Sequence, residues 1–246
     1  MLFAVVPLGL ALALAGGEAS PAQDRYDRER AQMVREIAAM ARMTAADTGR
    51  PVFAQRVMAA IAKVPRHRFV PQQQGPSAYQ NRPLPIGEGQ TISQPYIVAL
   101  MTDLVDPKPG HSVLEIGTGS GYQAAVLAEL VGTVYTIEIV EPLGRHAADT
   151  LRSLGYGNIA TRIGDGYNGW PEKAPFDSII VTAAAPFVPQ PLIDQLKPGG
   201  KLVIPVGERS EMQRLTVIEK AADGTSTRKR TLPVRFVPLT RTAPAK

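Results

Sequence analysis

The chain has 246 residues, 44% of them hydrophobic and 20% charged, which suits one globular domain with a substantial core. It contains no cysteine, so disulfides, thiolate metal sites and a cysteine nucleophile are excluded. The net charge of +5 suits an anionic partner, but Lys and Arg are scattered, and the cluster Arg228-Lys229-Arg230 reads as a solvated strand or loop face rather than a recognition patch.

In chain order, Leu2 to Ala15 is apolar and is followed by small residues through Ser20. This resembles the hydrophobic region and cleavage zone of a secretory signal, although no Lys or Arg precedes Arg25. The run is too short to cross a bilayer comfortably, so no stable membrane span is expected. Export to the periplasm is the expectation for residues 1–20, with a cytoplasmic enzyme carrying an uncleaved tail as the alternative. Residues 24–246 are expected to form a single domain: a helical and loop-rich layer over 24–95, a core over 97–207 and C-terminal strands over 212–240.

Helical periodicity marks 24–47, with Met33, Ile37, Met40 and Ala41 on one stripe, and a second helix over 51–64. Residues 65–95, rich in Pro, Gln and Gly, read as an extended layer. A helix over 97–105 is ended by Pro107-Lys108-Pro109-Gly110. Strand 113–116, helix 122–131, strand 133–139, helix 142–153 and strand 158–163 follow. The apolar, β-branched 176–182 reads as a strand buried on both faces. A short helix over 191–196 is closed by Lys197-Pro198-Gly199-Gly200, and strand 201–206 comes next. Strands over 214–220 and 233–239 bracket a turn at Asp223-Gly224 as an antiparallel pair. The alternation predicts an α/β fold: a doubly wound, mostly parallel Rossmann-like sheet with an N-terminal helical layer and an antiparallel C-terminal pair.

The chemistry concentrates at Val113 to Gly121, VLEIGTGSG. A strand ends in alternating glycines and a helix follows, an order that brings backbone close to a nucleotide-like cofactor. A dinucleotide fingerprint would require glycine at position 122, where this chain has Tyr122. What remains is G-x-G-x-G behind Glu115, which resembles the first motif of S-adenosylmethionine-dependent methyltransferases. Glu138, ending the next strand, falls where an acid would hold ribose hydroxyls; the plain alternative is a solvated strand end. The histidines, His67, His111 and His146, lie far apart without metal-ligand spacing, and no metal is expected.

Upstream lies Leu84-Pro85-Ile86-Gly87-Glu88-Gly89-Gln90-Thr91-Ile92-Ser93-Gln94-Pro95. With Val64-Pro65-Arg66, Phe69-Val70, Gly164-Asp165-Gly166, Ala174-Pro175-Phe176-Asp177, Lys197-Pro198-Gly199-Gly200 and Val234-Arg235-Phe236-Val237-Pro238-Leu239, it resembles the protein-L-isoaspartate O-methyltransferases over roughly residues 50–240. The resemblance implies methyl transfer from S-adenosylmethionine, leaving S-adenosylhomocysteine, to the free carboxylate of L-isoaspartyl residues in damaged proteins and peptides. It implies Ser93 as the active-site hydroxyl. Glu115, Gly117, Thr118, Gly119, Glu138, Asp165 and Gly166 would form the cofactor site, and Thr91, Ile92, Ser93, Val234, Phe236 and Leu239 the substrate site. A monomer without nucleic-acid partners is expected.

Two of these residues carry a second reading. Ser93, followed by Gln94-Pro95 and an apolar helix, suits a helix cap. Asp165 reads equally as an adenine contact or a turn aspartate. Methylation of exocyclic amines calls for an Asp/Asn-Pro-Pro-aromatic segment, and Thr182-Ala183-Ala184-Ala185-Pro186-Phe187 stands in its place. A catechol-type O-methyltransferase needs a metal held by carboxylates, which cannot be assembled here. A small-molecule carboxyl methyltransferase and a non-catalytic cofactor-binding module remain as alternatives.

Overall fold

The structure, a computed structural model, describes residues 21–208 and 211–241. The signal-like segment over 1–20 lies outside them. The first helix, α1 (Pro21–Met43), buries Met33, Ile37 and Ala41. It breaks before a short α2 (Ala45–Thr48), which Gly49 ends in the left-handed region at φ 71°. Then come α3 (Gln55–Lys63), a tight hairpin of β1 (Leu84–Gly87) and β2 (Gln90–Ile92), and α4 (Pro95–Leu104). The hairpin adds two paired strands to the extended layer expected over 65–95. Helix α4 begins two residues earlier than expected because proline, lacking an N–H, loses nothing in a first helical turn. No helix among the described residues is long and apolar enough to cross a membrane.

The core alternates β3 (Ser112–Ile116), α5 (Tyr122–Ala128), β4 (Thr133–Glu138), α6 (Glu141–Ser153), β5 (Ile159–Ile163), β6 (Phe176–Val181), α7 (Gln190–Asp194) and β7 (Leu196–Val206). Two further strands, β8 (Gln213–Lys220) and β9 (Ser226–Val234), complete a sheet of order β5-β4-β3-β6-β7-β8-β9. The first five of these pair in parallel; β8 and β9 are antiparallel. Successive side chains leave opposite faces of a strand, and the packing follows that period. Val113, Ile180 and Val203 join the core under α1, α3, α4 and α5, while Leu114, Ile179 and Leu202 join the core under α7.

From β3 the chain steps outward to β4 and β5, then returns to β6 on the other side. That switch leaves a crevice at the carboxyl ends of β3 and β6, at Ile116 and Val181.

Two expectations need correcting at the C-terminal end. The Lys197-Pro198-Gly199-Gly200 segment opens β7 instead of closing a helix, with Gly200 pressed so close to the Asp177 carbonyl that an added Cβ would sit 2.8 Å away. The final strand is 226–234, not 233–239. It lies at the sheet edge, where Arg228-Lys229-Arg230 keep their charges in water and Pro233 costs no interior hydrogen bond. Beyond it the chain crosses back over the crevice. Ala184 donates its N–H to the Val237 carbonyl at 2.8 Å, and Leu239 donates to the Ala184 carbonyl at 2.7 Å.

Candidate active site

The glycine turn takes the conformation its composition requires: Gly117, Gly119 and Gly121 have φ of 93°, 52° and 88°. It is tied to both neighbouring strands. Gly117 and Thr118 donate their amides to the Ile137 carbonyl at 2.8 and 3.2 Å. Gly119 donates to Glu138 Oε2 at 2.8 Å. From the β6 side, the Thr182 hydroxyl lies 2.6 Å from the Gly117 carbonyl and 3.0 Å from that of Ile116.

Beneath the turn runs a buried chain of side chains. Thr136 Oγ1 donates to Glu115 Oε2 at 2.6 Å and lies 2.6 Å from Thr118 Oγ1. Glu115 is fully buried, and its Oε1 has no hydrogen-bond partner. Burial, with Glu138 nearby, pushes its carboxyl up to about 8, so it is mostly protonated at neutral pH. The side chains of Glu115 and Thr118, expected at the cofactor, are buried beneath the turn and line neither cleft.

Two open clefts meet above the turn. The first lies at the switch point and is lined by Gly117, Gly119, Glu138, Gly166 and Leu239 among the expected residues. Ile116, Ile137 and Val140 supply apolar wall. The second holds Ser93, Val234 and Phe236. Thr91, Thr182 and Val237 line both, so the clefts adjoin one another. Leu239, expected beside the substrate, lies on the first cleft instead, because the segment following β9 folds over the crevice. Ile92 is buried in the hairpin opposite Leu84 and faces neither cleft.

Asp165 makes the contacts of a turn aspartate. Its Oδ1 accepts the Tyr167 amide at 2.9 Å and its Oδ2 lies 3.9 Å from Arg241 Nε. Only its neighbour Gly166 reaches the cleft. Ser93, in contrast, is not a cap. The α4 N-terminus is capped from another segment by Asn81, whose Oδ1 accepts the Tyr96 amide at 3.0 Å. The Ser93 hydroxyl has no hydrogen-bond partner among the described residues, and it lines the second cleft.

Sequence reasoning missed Thr182, Asn81 and Met40, the last of which reaches the second cleft from α1. A polar residue ending the buried run 176–182 was a usable signal for Thr182. Asn81 and Met40 act through tertiary approach and carried no local mark.

A family model described as Protein-L-isoaspartate(D-aspartate) O-methyltransferase matches residues 41–243. The chain belongs to that family. Among its relatives, Protein-L-isoaspartate O-methyltransferase 1 of Cupriavidus necator is 63% identical over 218 residues, covering 89% of this chain and 84% of that one. A solved protein-L-isoaspartate O-methyltransferase superposes with a TM-score of 0.73 at 28% identity, over 85% of this chain and 65% of that longer one. A Plasmodium falciparum chain solved in complex with S-adenosyl-L-homocysteine shares the fold, with a TM-score of 0.71 at 24% identity over 88% of this chain and 99% of that one. The solved protein-L-isoaspartate O-methyltransferase thus shares this chain's overall fold.

Proposed function

We propose that this protein transfers a methyl group from S-adenosylmethionine to the free carboxylate of L-isoaspartyl residues in damaged proteins, the step that begins their repair. The observation that carries this reading is the adjacency of the two clefts, which share Thr91 and Thr182 as walls, with an unpartnered Ser93 hydroxyl in the second.

The first cleft fits the cofactor chemically. Glu138 offers acceptor lone pairs to a ribose diol, the left-handed glycines permit close approach, and Ile137 and Val140 suit a flat base. S-adenosylmethionine supplies an electrophilic methyl group on a sulfonium. The acceptor needs no activation, because a carboxylic acid with pKa near 4 is already ionised at neutral pH and is its own nucleophile. A new O–C bond forms as the C–S bond breaks, and the negative oxygen and positive sulfur neutralise each other.

The protein's task is therefore alignment and exclusion of water, and alignment alone can contribute about 7–11 kcal/mol. Ser93 donates a hydrogen bond that fixes one carboxylate oxygen so that the other points at the methyl carbon. Val237 and Leu239, held across the crevice by Ala184, shield the line of transfer. Phe236 and Val234 receive the peptide beside the isoaspartyl group. Loss of the ester through a succinimide then returns part of the chain to normal aspartate.

The test is methyl transfer from labelled S-adenosylmethionine to two peptides that differ only in isoaspartate versus aspartate. Base-labile label on the isoaspartyl peptide alone is the expected result. Cofactor binding without transfer to either peptide would shift the reading to another acceptor or to a non-catalytic module. The apolar segment over 1–20 supports export as a further reading. Natively expressed protein that kept Met1 or Leu2 would overturn its cleavage.

A further inference from the structure

Arg66 lines neither cleft, and the chemistry above does not use it. It is nevertheless among the largest fully buried side chains of the described residues, and no carboxylate forms an ion pair with it among them. Burial lowers its guanidinium to about 10, which leaves it charged at neutral pH. A buried charge without a counter-ion is costly, and an apolar side chain of similar volume would fill the same space more favourably. Core filling therefore does not account for it.

Its contacts do. Nη2 donates to the Ser93 carbonyl at 2.8 Å, and Nε donates to the Ala78 carbonyl at 2.9 Å. The guanidinium lies over the Tyr122 ring, 4.8 Å from its centroid. Tyr122 is the first residue of α5, directly after the cofactor turn, and Ala78 lies three residues before Asn81, the cap of α4. One cation thus joins three segments: the strand end that carries Ser93, the stretch leading to the cap of the following helix, and the helix that follows the glycine turn. Hydrogen bonds from an ionised donor are shorter and about twice as strong as neutral ones, so the carbonyl of Ser93 is held firmly while its hydroxyl stays free.

We propose that Arg66 is a positioning residue, setting the Ser93 hydroxyl in register with the cofactor turn for methyl transfer. This rests on the reading of Ser93 as the group that orients the isoaspartyl carboxylate.

The test is a double-mutant cycle on the full-length protein: Arg66→Lys, Ser93→Ala and the two together. It is read as kcat and KM for an isoaspartyl peptide, cofactor Kd and thermal midpoint. Lysine keeps the charge but cannot reach both carbonyls in Arg66's fork geometry. The expected result is a kcat about tenfold to a hundredfold lower for Arg66→Lys, with cofactor Kd unchanged. In the Ser93→Ala background the same substitution should cost nothing further, because the group it positions is gone.

Equal losses in both backgrounds, or no loss in kcat, would overturn the proposal. Full activity in Ser93→Ala alone would instead remove Ser93 from the reaction, and a loss from Arg66→Lys would then need another origin. Should Arg66→Lys not fold, Tyr122→Leu, which takes the ring from beneath the guanidinium, must show the same non-additivity with Ser93→Ala; additive losses would count against the proposal.

Discussion

Glu138 accepts the Gly119 amide on one carboxylate oxygen at 2.8 Å and the Val140 amide on the other at 2.9 Å. The residue expected to hold a ribose diol also fixes the glycine turn beside the first cleft. The two roles are compatible, because each carboxylate oxygen accepts one amide, keeps a second lone pair, and belongs to a residue that lines that cleft.

Glu138→Ala should raise the cofactor Kd by about tenfold or more, since hydrogen bonds to a charged group contribute about 1.5–3 kcal/mol each. It should also lower the thermal midpoint, because the Gly119 and Val140 amides lose their acceptors. Isothermal titration with S-adenosylhomocysteine and a melting curve separate the two effects. An unchanged Kd would take Glu138 out of the cofactor site.

Gly117→Ala meets two obstacles. The backbone sits at φ 93°, and the new Cβ would come 2.5 Å from Thr182 Oγ1. Strain of this kind costs about 1–3 kcal/mol. Adding Thr182→Ala relieves the contact but not the backbone strain, so the double variant should be less destabilised than the sum of the single losses. Chemical denaturation of the three variants reads the coupling, and strict additivity would mean that Thr182 is not the group that excludes a side chain there.

The centre of the sheet was legible because its strands are buried on both faces, and runs such as Phe176 to Val181 have almost no solvent face to confuse the pattern. The glycine turn was legible because its conformation allows few other residues. The edge strand was misread because β9 buries little, and its charge run resembles loop sequence. Ser93 carried a local and a functional reading, and tertiary structure gave the cap role to Asn81, twelve residues upstream. Asp165 makes the local turn bond to the Tyr167 amide, which leaves its other acceptor positions available. Glu115 was misplaced because sequence spacing shows distance from the glycines but not which face of β3 a side chain leaves.

Phe236 faces the second cleft, and its amide is held by the buried Gln213, whose Oε1 accepts it at 3.0 Å. Phe236→Ala should raise KM for isoaspartyl peptides while leaving the cofactor Kd unchanged, because the ring does not line the first cleft. Steady-state kinetics with the peptide varied at saturating cofactor measure this. A rise in cofactor Kd with no change in peptide KM would reverse the assignment of the two clefts.

Glu115 gives the protein a predictable dependence of stability on pH. Its carboxyl is raised from about 4.5 to about 8 in the folded state by burial. Between those values the unfolded chain has released this proton while the folded chain keeps it, so stability from this group is present at low pH and declines as pH rises through the window. Glu115→Gln keeps an acceptor for the Thr136 hydroxyl but cannot titrate. The variant should therefore gain on the parent as pH rises from 5 to 8.5, by an amount on the order of a few kcal/mol, since each unit of displacement corresponds to ~1.4 kcal/mol. Melting both proteins across that range cancels the titration of every other group. Parallel curves would show that Glu115 is ionised in the folded state and that the buried chain beneath the glycine turn carries a charge.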